Sequence, residues 1–134
     1  MKSRETLIRL KRFQVDEKRR RVAQIEMMMA DFERMAGDLE REIAAEEKKT
    51  GISDPNHFAY PTYARAAAQR RDNLRRSAQE LHGQLDDAKA TLGEAFEELK
   101  KVEMLEDRDR SAERAMEAAA ISEAAQGRVA RASY

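Results

Sequence analysis

The sequence contains no cysteine and no tryptophan, and it has only two prolines and five glycines in 134 residues. Without cysteine the chain forms no disulfide, thiolate metal site or thiol nucleophile, and it suits a reducing compartment. No apolar run approaches the ~20 residues that cross a bilayer, and residues 1–21 lack the apolar core of a signal peptide. We therefore expect a cytoplasmic protein with few interruptions to its helices.

Aromatic residues are also scarce, at 5% of the chain, whereas 39% of residues are charged. This composition disfavours a spherical core. With abundant Ala, Leu, Glu, Lys and Arg, it is typical of long helices and coiled coils. The 26 basic and 26 acidic residues cancel, so no bulk field indicates nucleic acid or an anionic membrane as the partner.

An apolar heptad predicts a first helix over about residues 3–50. One core row of this heptad holds Ile8, Val15, Val22, Met29, Ala36 and Ile43. The other core row holds Lys11, Lys18, Ile25, Phe32, Leu39 and Glu46. We call these rows, together with the corresponding rows of the second helix, the seam.

Helix-breaking residues cluster only in residues 51–60, which we predict to be a turn, and Pro61 opens a second helix over about residues 61–126. Its seam rows hold Ala67, Leu74, Leu81, Ala88, Ala95 and Val102, and Ala64, Arg71, Ala78, Leu85, Leu92 and Leu99. Past Val102 the spacing slips into a shifted frame that takes Leu105, Ala112, Met116 and Ala119. Gly127 and the last two residues, Ser133 and Tyr134, are expected to fray.

The two seams and the turn predict an all-α fold, a long two-helix antiparallel coiled-coil hairpin with a longer C-terminal helix. We expect a single coiled-coil domain over residues 1–134. Because the second helix is the longer one, the segment after about Glu106 is predicted to have no partner within the chain.

The short turn fixes the register of this hairpin, pairing Phe32 with Leu81. Charge agrees with that register. Residues 1–22 carry nine basic and three acidic residues, and their predicted partners at 90–111 carry four basic and seven acidic ones. Such complementary blocks favour one orientation of two helices more than they add stability.

The sequence offers no catalytic chemistry. Five scattered glycines make no phosphate-binding loop. His57 lies in the turn and His82 on a helix flank, and a solvated imidazole is the simpler interpretation of each. The acidic runs at 86–87 and 106–109 are typical of solvated helix faces. We expect no catalytic residue, no cofactor and no metal, and hence no enzyme.

Basic residues near the start of the first helix form the first candidate partner-binding surface: Lys11, Arg12, Lys18, Arg19, Arg20 and Arg21. Two interpretations stay open. The surface docks an acidic partner or phosphate, or it is a solvated helix face paired with acids of the second helix. A nucleic-acid interface is disfavoured because no aromatic residues interleave the cations.

Two further candidate surfaces are apolar. Aromatic residues at the tip of the hairpin either pack that tip or bind a partner: Phe58, Tyr60 and Tyr63. In the C-terminal segment, a stripe on one helix face has no covering helix: Ala112, Met116 and Ala119.

In its order of features and their lengths, the chain resembles the FliJ family of soluble flagellar type III export proteins, particularly the alphaproteobacterial members. Two stretches carry the resemblance, SRETLIRLKRFQVDEKRRRVAQIE at residues 3–26 and LKKVEMLEDRDRSAERAMEAAAISEAAQGR at residues 99–128. The loop segment GISDPNHFAYPTYARAA is also similar to that family, so the resemblance spans essentially the whole chain.

The resemblance implies a set of partners. Family members are similar in shape to the central stalk of rotary ATPases, insert into the hexameric ring of the flagellar export ATPase, contact the membrane-embedded export gate and handle export chaperones. The implied location is cytoplasmic, with recruitment to the flagellar base and to the membrane only through partners. On this chain the basic start of the first helix and the C-terminal segment would face the ring.

The gate-contacting surface of the family lies just after the turn. Here that region reads Tyr63, Ala66, Arg70, Asn73 and Ser77, without the bulky apolar and His residues of enteric relatives. The aromatic tip residues would have to substitute for them. Two other functions stay open: a generic coiled-coil adaptor or scaffold, and a basic-helix nucleic-acid binder.

Overall fold

The computed structural model describes residues 2–132, which form two long helices. Helix α1 spans Lys2–Thr50 (49 residues) and helix α2 spans Thr62–Ala132 (71 residues), with no strand in the described part of the chain. The all-α prediction is confirmed. The two helices pack against each other, as a two-helix hairpin requires.

The link between the helices has local causes. Gly51 adopts a φ of +77°, and its N–H bonds to the Glu47 carbonyl at 2.8 Å, which is the usual left-handed end of a helix. Asp54 Oδ1 accepts the Asn56 N–H at 2.9 Å in an Asx turn. Pro61 immediately precedes α2, and its carbonyl accepts the Arg65 N–H at 3.1 Å. The predicted turn and helix start therefore agree with the structure to within one residue.

Contacts group the chain into two compact units, and each helix contributes to both. The central unit comprises Asp16–Gly93, and the terminal unit comprises the described residues of Met1–Val15 and Glu94–Tyr134. The expectation of one domain over residues 1–134 stays a prediction.

The central unit holds two apolar clusters. In the first, Met29, Phe32, Ala88 and Leu92 pack against a buried group made of Val22, Ile25, Leu81 and Leu85. In the second, Leu39, Ile52 and Ala68 pack against a buried group made of Ile43, Tyr60, Ala64 and Ala67. The first cluster contains the partners that the predicted register brings together.

Burial follows the seam along both helices. Every seam position named above is buried or half-buried, including the charged ones. The terminal unit shows one departure from the prediction. Glu106 is 8% exposed, whereas Leu105 is 44% exposed. The seam therefore keeps its frame past Val102, with Glu106 seven residues after Leu99, and the predicted slip toward Leu105 is wrong.

Helix α2 also runs further than the predicted end at residue 126. It continues to Ala132 through Gly127, because a single glycine costs a helix only about 1 kcal/mol and its neighbours are mostly Ala and Arg. The expected fraying of Ser133 and Tyr134 concerns positions outside the described residues. Within residues 2–132, neither helix has an apolar stretch suited to crossing a membrane.

Candidate partner-binding surfaces

Residues 111–131 of α2, which we call the C-terminal extension, form a helix without a covering element. All of these residues are exposed except Gly127, which has no side chain. Met116 keeps 72% of its surface exposed and Ile121 keeps 71%. Ala112, Met116 and Ala119, at spacings of four and three, share one face of this helix.

A layer of charged side chains closes the paired part of the terminal unit just before this extension. The Arg4 guanidinium contacts the Asp109 carboxylate and lies 3.8 Å from Glu106 Oε2. Arg110 donates a 3.1 Å hydrogen bond to Glu106 Oε1. Contacts with α1 thus reach Asp109, slightly past the predicted limit near Glu106. Heptad spacing from Lys11, Leu99 and Val102 leads to Arg4, Glu106 and Asp109, whereas the predicted frame followed the apolar residues from Leu105 onward.

The first two cations of the predicted basic surface are paired with acids of α2. Lys11 Nζ donates a 2.9 Å hydrogen bond to Glu98 Oε2, and Arg12 Nη2 lies 3.6 Å from Glu103 Oε2. The Lys11 ammonium holds the pKa of the Glu98 carboxyl below its ordinary value. For these two residues the structure favours the solvated, paired helix face.

The remaining cations differ. Arg19 lies 3.9 Å from Asp16 on its own helix. Lys18, Arg20 and Arg21 line a groove of about 680 Å³ in the central unit, which we call the basic groove. Among the described residues these three cations form no ion pair, so the docking interpretation stays open for them.

The aromatic residues at the tip do not act as one group. Tyr60 is buried in the second apolar cluster, and its hydroxyl donates a 3.0 Å hydrogen bond to Glu47 Oε1. Burial, reinforced by this bond, raises the pKa of Tyr60. Tyr63 lies on the flank, where a 2.5 Å hydrogen bond to Glu42 raises its pKa. Phe58, at 95% exposure, is the most exposed of the three and the one best placed to contact a partner.

The two histidines are exposed. His57 stacks on the Phe58 ring with 4.8 Å between ring centroids, and its Nδ1 accepts the Ala59 N–H at 3.0 Å. His82 lies on the exposed side of α2. In the described part of the chain, no group of His and acidic residues is arranged to hold a metal ion.

The surface implied to contact an export gate is mostly solvent-facing. Ala66, Arg70 and Asn73 are exposed and Ser77 is half-buried. This surface presents small and polar side chains on α2, with Tyr63 as its aromatic member.

Comparison with protein-family models, with curated proteins and with solved structures found no match to this chain. Function therefore has to be inferred from the chain's own surfaces. Among the described residues, three of the predicted surfaces keep accessible side chains: the C-terminal extension, the basic groove and Phe58 at the tip. Each presents exposed side chains that another macromolecule could contact.

Proposed function

We propose that this protein is a soluble, non-enzymatic component of a flagellar type III export apparatus, binding the hexameric export ATPase through its C-terminal extension. The observation that carries the proposal is the helix at residues 111–131, in which every residue but Gly127 is exposed. Apolar side chains left uncovered on a helix are a usual sign of a protein interaction site. The resemblance to the FliJ family supplies the identity of the partner.

The composition of the extension suits insertion into a narrow opening. A helix whose side chains are mostly Ala is slimmer than one carrying Leu or Phe. Burial of Ala112, Met116 and Ala119 against a ring would complete the stripe that the chain itself leaves exposed. Within such a ring the protein would act as a stalk-like subunit and favour ring assembly.

We also propose that the two helices form an antiparallel coiled coil. Support comes from the heptad-spaced burial and from the ion pairs between the helices. Lys11, near the start of α1, pairs with Glu98, whereas Glu40, near the end of α1, pairs with Arg75 early in α2, which is the order that antiparallel helices produce. Because the chain has no thiol of its own, Met29→Cys with Leu85→Cys should form an intramolecular disulfide readily. The pair Met29→Cys with Leu74→Cys is the control that should not. Equal crosslinking of both cysteine pairs would contradict the antiparallel arrangement.

Other contacts of the apparatus are assigned on the resemblance. The basic residues would steer the protein toward acidic loops of the ATPase, so association should slow as salt rises. The tip and the start of α2 would face the export gate, with Phe58 as the exposed anchor, and export chaperones complete the partner set. The protein would be cytoplasmic and reach the membrane only through these partners.

Truncation tests the proposal. Deleting Ser111–Tyr134 should abolish stimulation of the cognate export ATPase and leave the thermal melting curve nearly unchanged, since the extension covers no core residue. A matched pair of triple variants refines the test. The first variant replaces the proposed face by glutamate, at Ala112, Met116 and Ala119, and it should abolish stimulation of the ATPase. The second variant replaces Ala118, Ile121 and Ala125 on the opposite face by glutamate, and it should reduce stimulation far less.

The generic scaffold is the alternative outcome of the same experiment. If the truncated protein stimulates the ATPase as well as the full chain does, the extension is not the binding element. If the full chain never alters assembly or turnover of that ATPase, the export role is wrong. In that case a generic coiled-coil adaptor is the better description of the protein, because Lys11 and Arg12 serve as ion-pair partners of α2.

A further inference from the structure

Three seam cations on α1 recur at seven-residue spacing: Arg4, Lys11 and Lys18. In the terminal unit, Arg4 contacts Asp109 and Lys11 contacts Glu98, so each of the first two has a carboxylate partner from α2. Lys18 is also half-buried, yet it has no carboxylate partner among the described residues. A seam lysine whose ammonium meets no carboxylate of its own chain is free to bind an anion supplied from outside.

The basic groove supplies the room for such an anion. It lies between Lys18, Arg20 and Arg21 on α1 and Gln84 and Thr91 on α2, and it encloses about 680 Å³. Ala88, whose short side chain leaves the α2 wall shallow, contributes to the lining. The groove therefore combines the ammonium of a half-buried lysine, two guanidinium groups and a small apolar surface.

We propose that the basic groove binds an acidic peptide segment of a partner protein. Carboxylates of that segment take the position opposite Lys18 that Asp109 and Glu98 take opposite Arg4 and Lys11. Arg21, three residues after Lys18 on the same helix, presents a planar donor fork for a second carboxylate. Small apolar side chains of the segment cover Ala88.

Two acidic residues in the groove decide between a peptide and a nucleic acid. Glu17 and Asp87 also line it, one on each helix. A phosphate backbone, with its unbroken row of negative charges, would pass close to both carboxylates and be repelled. A peptide places separate carboxylates at the cations and leaves neutral residues beside Glu17 and Asp87. The mixture of cations and acids in the groove therefore favours a ligand whose negative charges are separated by neutral residues.

Fluorescence anisotropy with the full chain tests this proposal. The probe is a fluorescein-labelled peptide of alternating Glu and Ala, and its negative control has Gln at every Glu. Lys18→Gln and Arg21→Gln should each weaken binding of the Glu peptide by about tenfold, the usual worth of a charge-assisted hydrogen bond. Arg19→Gln is the matched control, since it removes the same charge from a residue that faces Asp16, and it should change affinity less than twofold.

Each outcome decides the matter. Equal weakening by Arg19→Gln and Arg21→Gln would reduce the binding to non-specific attraction and overturn the proposal, as would absence of binding or equal binding of the Gln peptide. Tighter binding of a fluorescein-labelled oligothymidylate than of the Glu peptide would overturn it in favour of nucleic acid. Circular dichroism checks that all three variants keep their helices. The groove lies in the central unit and the proposed ATPase-binding extension in the terminal unit, so truncation after Arg110 should leave peptide binding intact.

Discussion

Ile25 and Ile121 are the same side chain in opposite settings. Ile25 lies in the central unit with 1% of its surface exposed, packed among Val22, Leu81 and Leu85. Ile121 lies in the C-terminal extension with 71% exposed. The surrounding backbone is helical in both places, so packing alone does not explain the helices. In the central unit, buried apolar contacts between α1 and α2 stabilise the helix, whereas in the extension only the high helix propensity of Ala does.

The largest expected effect contrasts these two residues. Ile25→Ala should lower the free energy of unfolding by about 2–5 kcal/mol, because it removes buried methyl groups and leaves a cavity. Ile121→Ala should change it by less than about 0.5 kcal/mol, since it alters an exposed position and introduces a better helix former. Urea titration followed by circular dichroism measures both.

Similar losses for the two variants would contradict the comparison. They would show that the extension has a tertiary partner in solution, for instance a second copy of the chain. A dependence of the Ile121→Ala result on protein concentration would identify that case.

The second effect contrasts paired and unpaired seam cations. Lys18→Met should raise the free energy of unfolding by about 1 kcal/mol, because it places an apolar side chain of similar length at a half-buried seam position where the described residues supply no countercharge. Lys11→Met should give a smaller gain or a loss, since it leaves Glu98 without its partner. Melting temperatures of the two variants, measured at the same salt concentration, provide the test. A larger gain from Lys11→Met would mean that Lys18 has a countercharge in solution.

Heptad counting predicted much of this fold. Apolar spacing located the seam positions, and Gly51 and Pro61 located the link, because both signals depend on local physics. It failed at Glu106, where a charged residue occupies the seam. Helical spacing places Arg110 beside it, but the second cation, Arg4, comes from α1, and its approach to Glu106 depends on how the two helices pair.

The candidate sites were less predictable than the fold. The aromatic tip residues looked equivalent in sequence, yet Tyr60 is part of the core and Phe58 is exposed. Likewise, the cations differ in their surroundings: Lys11 and Arg12 pair with α2, Arg19 lies near Asp16 of its own helix, and the other three line the groove. Which cation finds a partner depends on the acid opposite it, and that acid is set by the pairing of distant segments. Surface roles therefore depend on contacts that no single stretch of sequence contains.

A third, smaller effect comes from glycines inside α2. A methyl group added at Gly83 or at Gly127 would meet no neighbouring atom within 4 Å, so either site accepts alanine. Gly83→Ala should raise the free energy of unfolding by about 0.5–1 kcal/mol, because alanine lowers the conformational entropy of the unfolded chain and has a higher helix propensity than glycine. Gly127→Ala should instead raise the helical signal without moving the main transition. A shift of the main transition by Gly127→Ala would show that the extension is energetically coupled to the core.

The smallest expected effect concerns acid. In the central unit, hydrogen bonding by Arg75, with a 2.6 Å contact to Glu40 Oε2, holds the pKa of the Glu40 carboxyl below its ordinary value of 4.5. A carboxyl whose pKa is lowered by folding stabilises the fold at pH values above its unfolded pKa. That contribution is lost as pH falls through the lower folded pKa. The melting temperature should therefore decline as pH drops below about 4.5.

Arg75→Gln should lower the melting temperature slightly at pH 7 and flatten the part of the decline due to Glu40. Arg131→Gln, in the extension, removes the same charge and should leave the pH profile unchanged. If both variants flatten the profile equally, loss of net positive charge rather than the Glu40 contact controls the acid response.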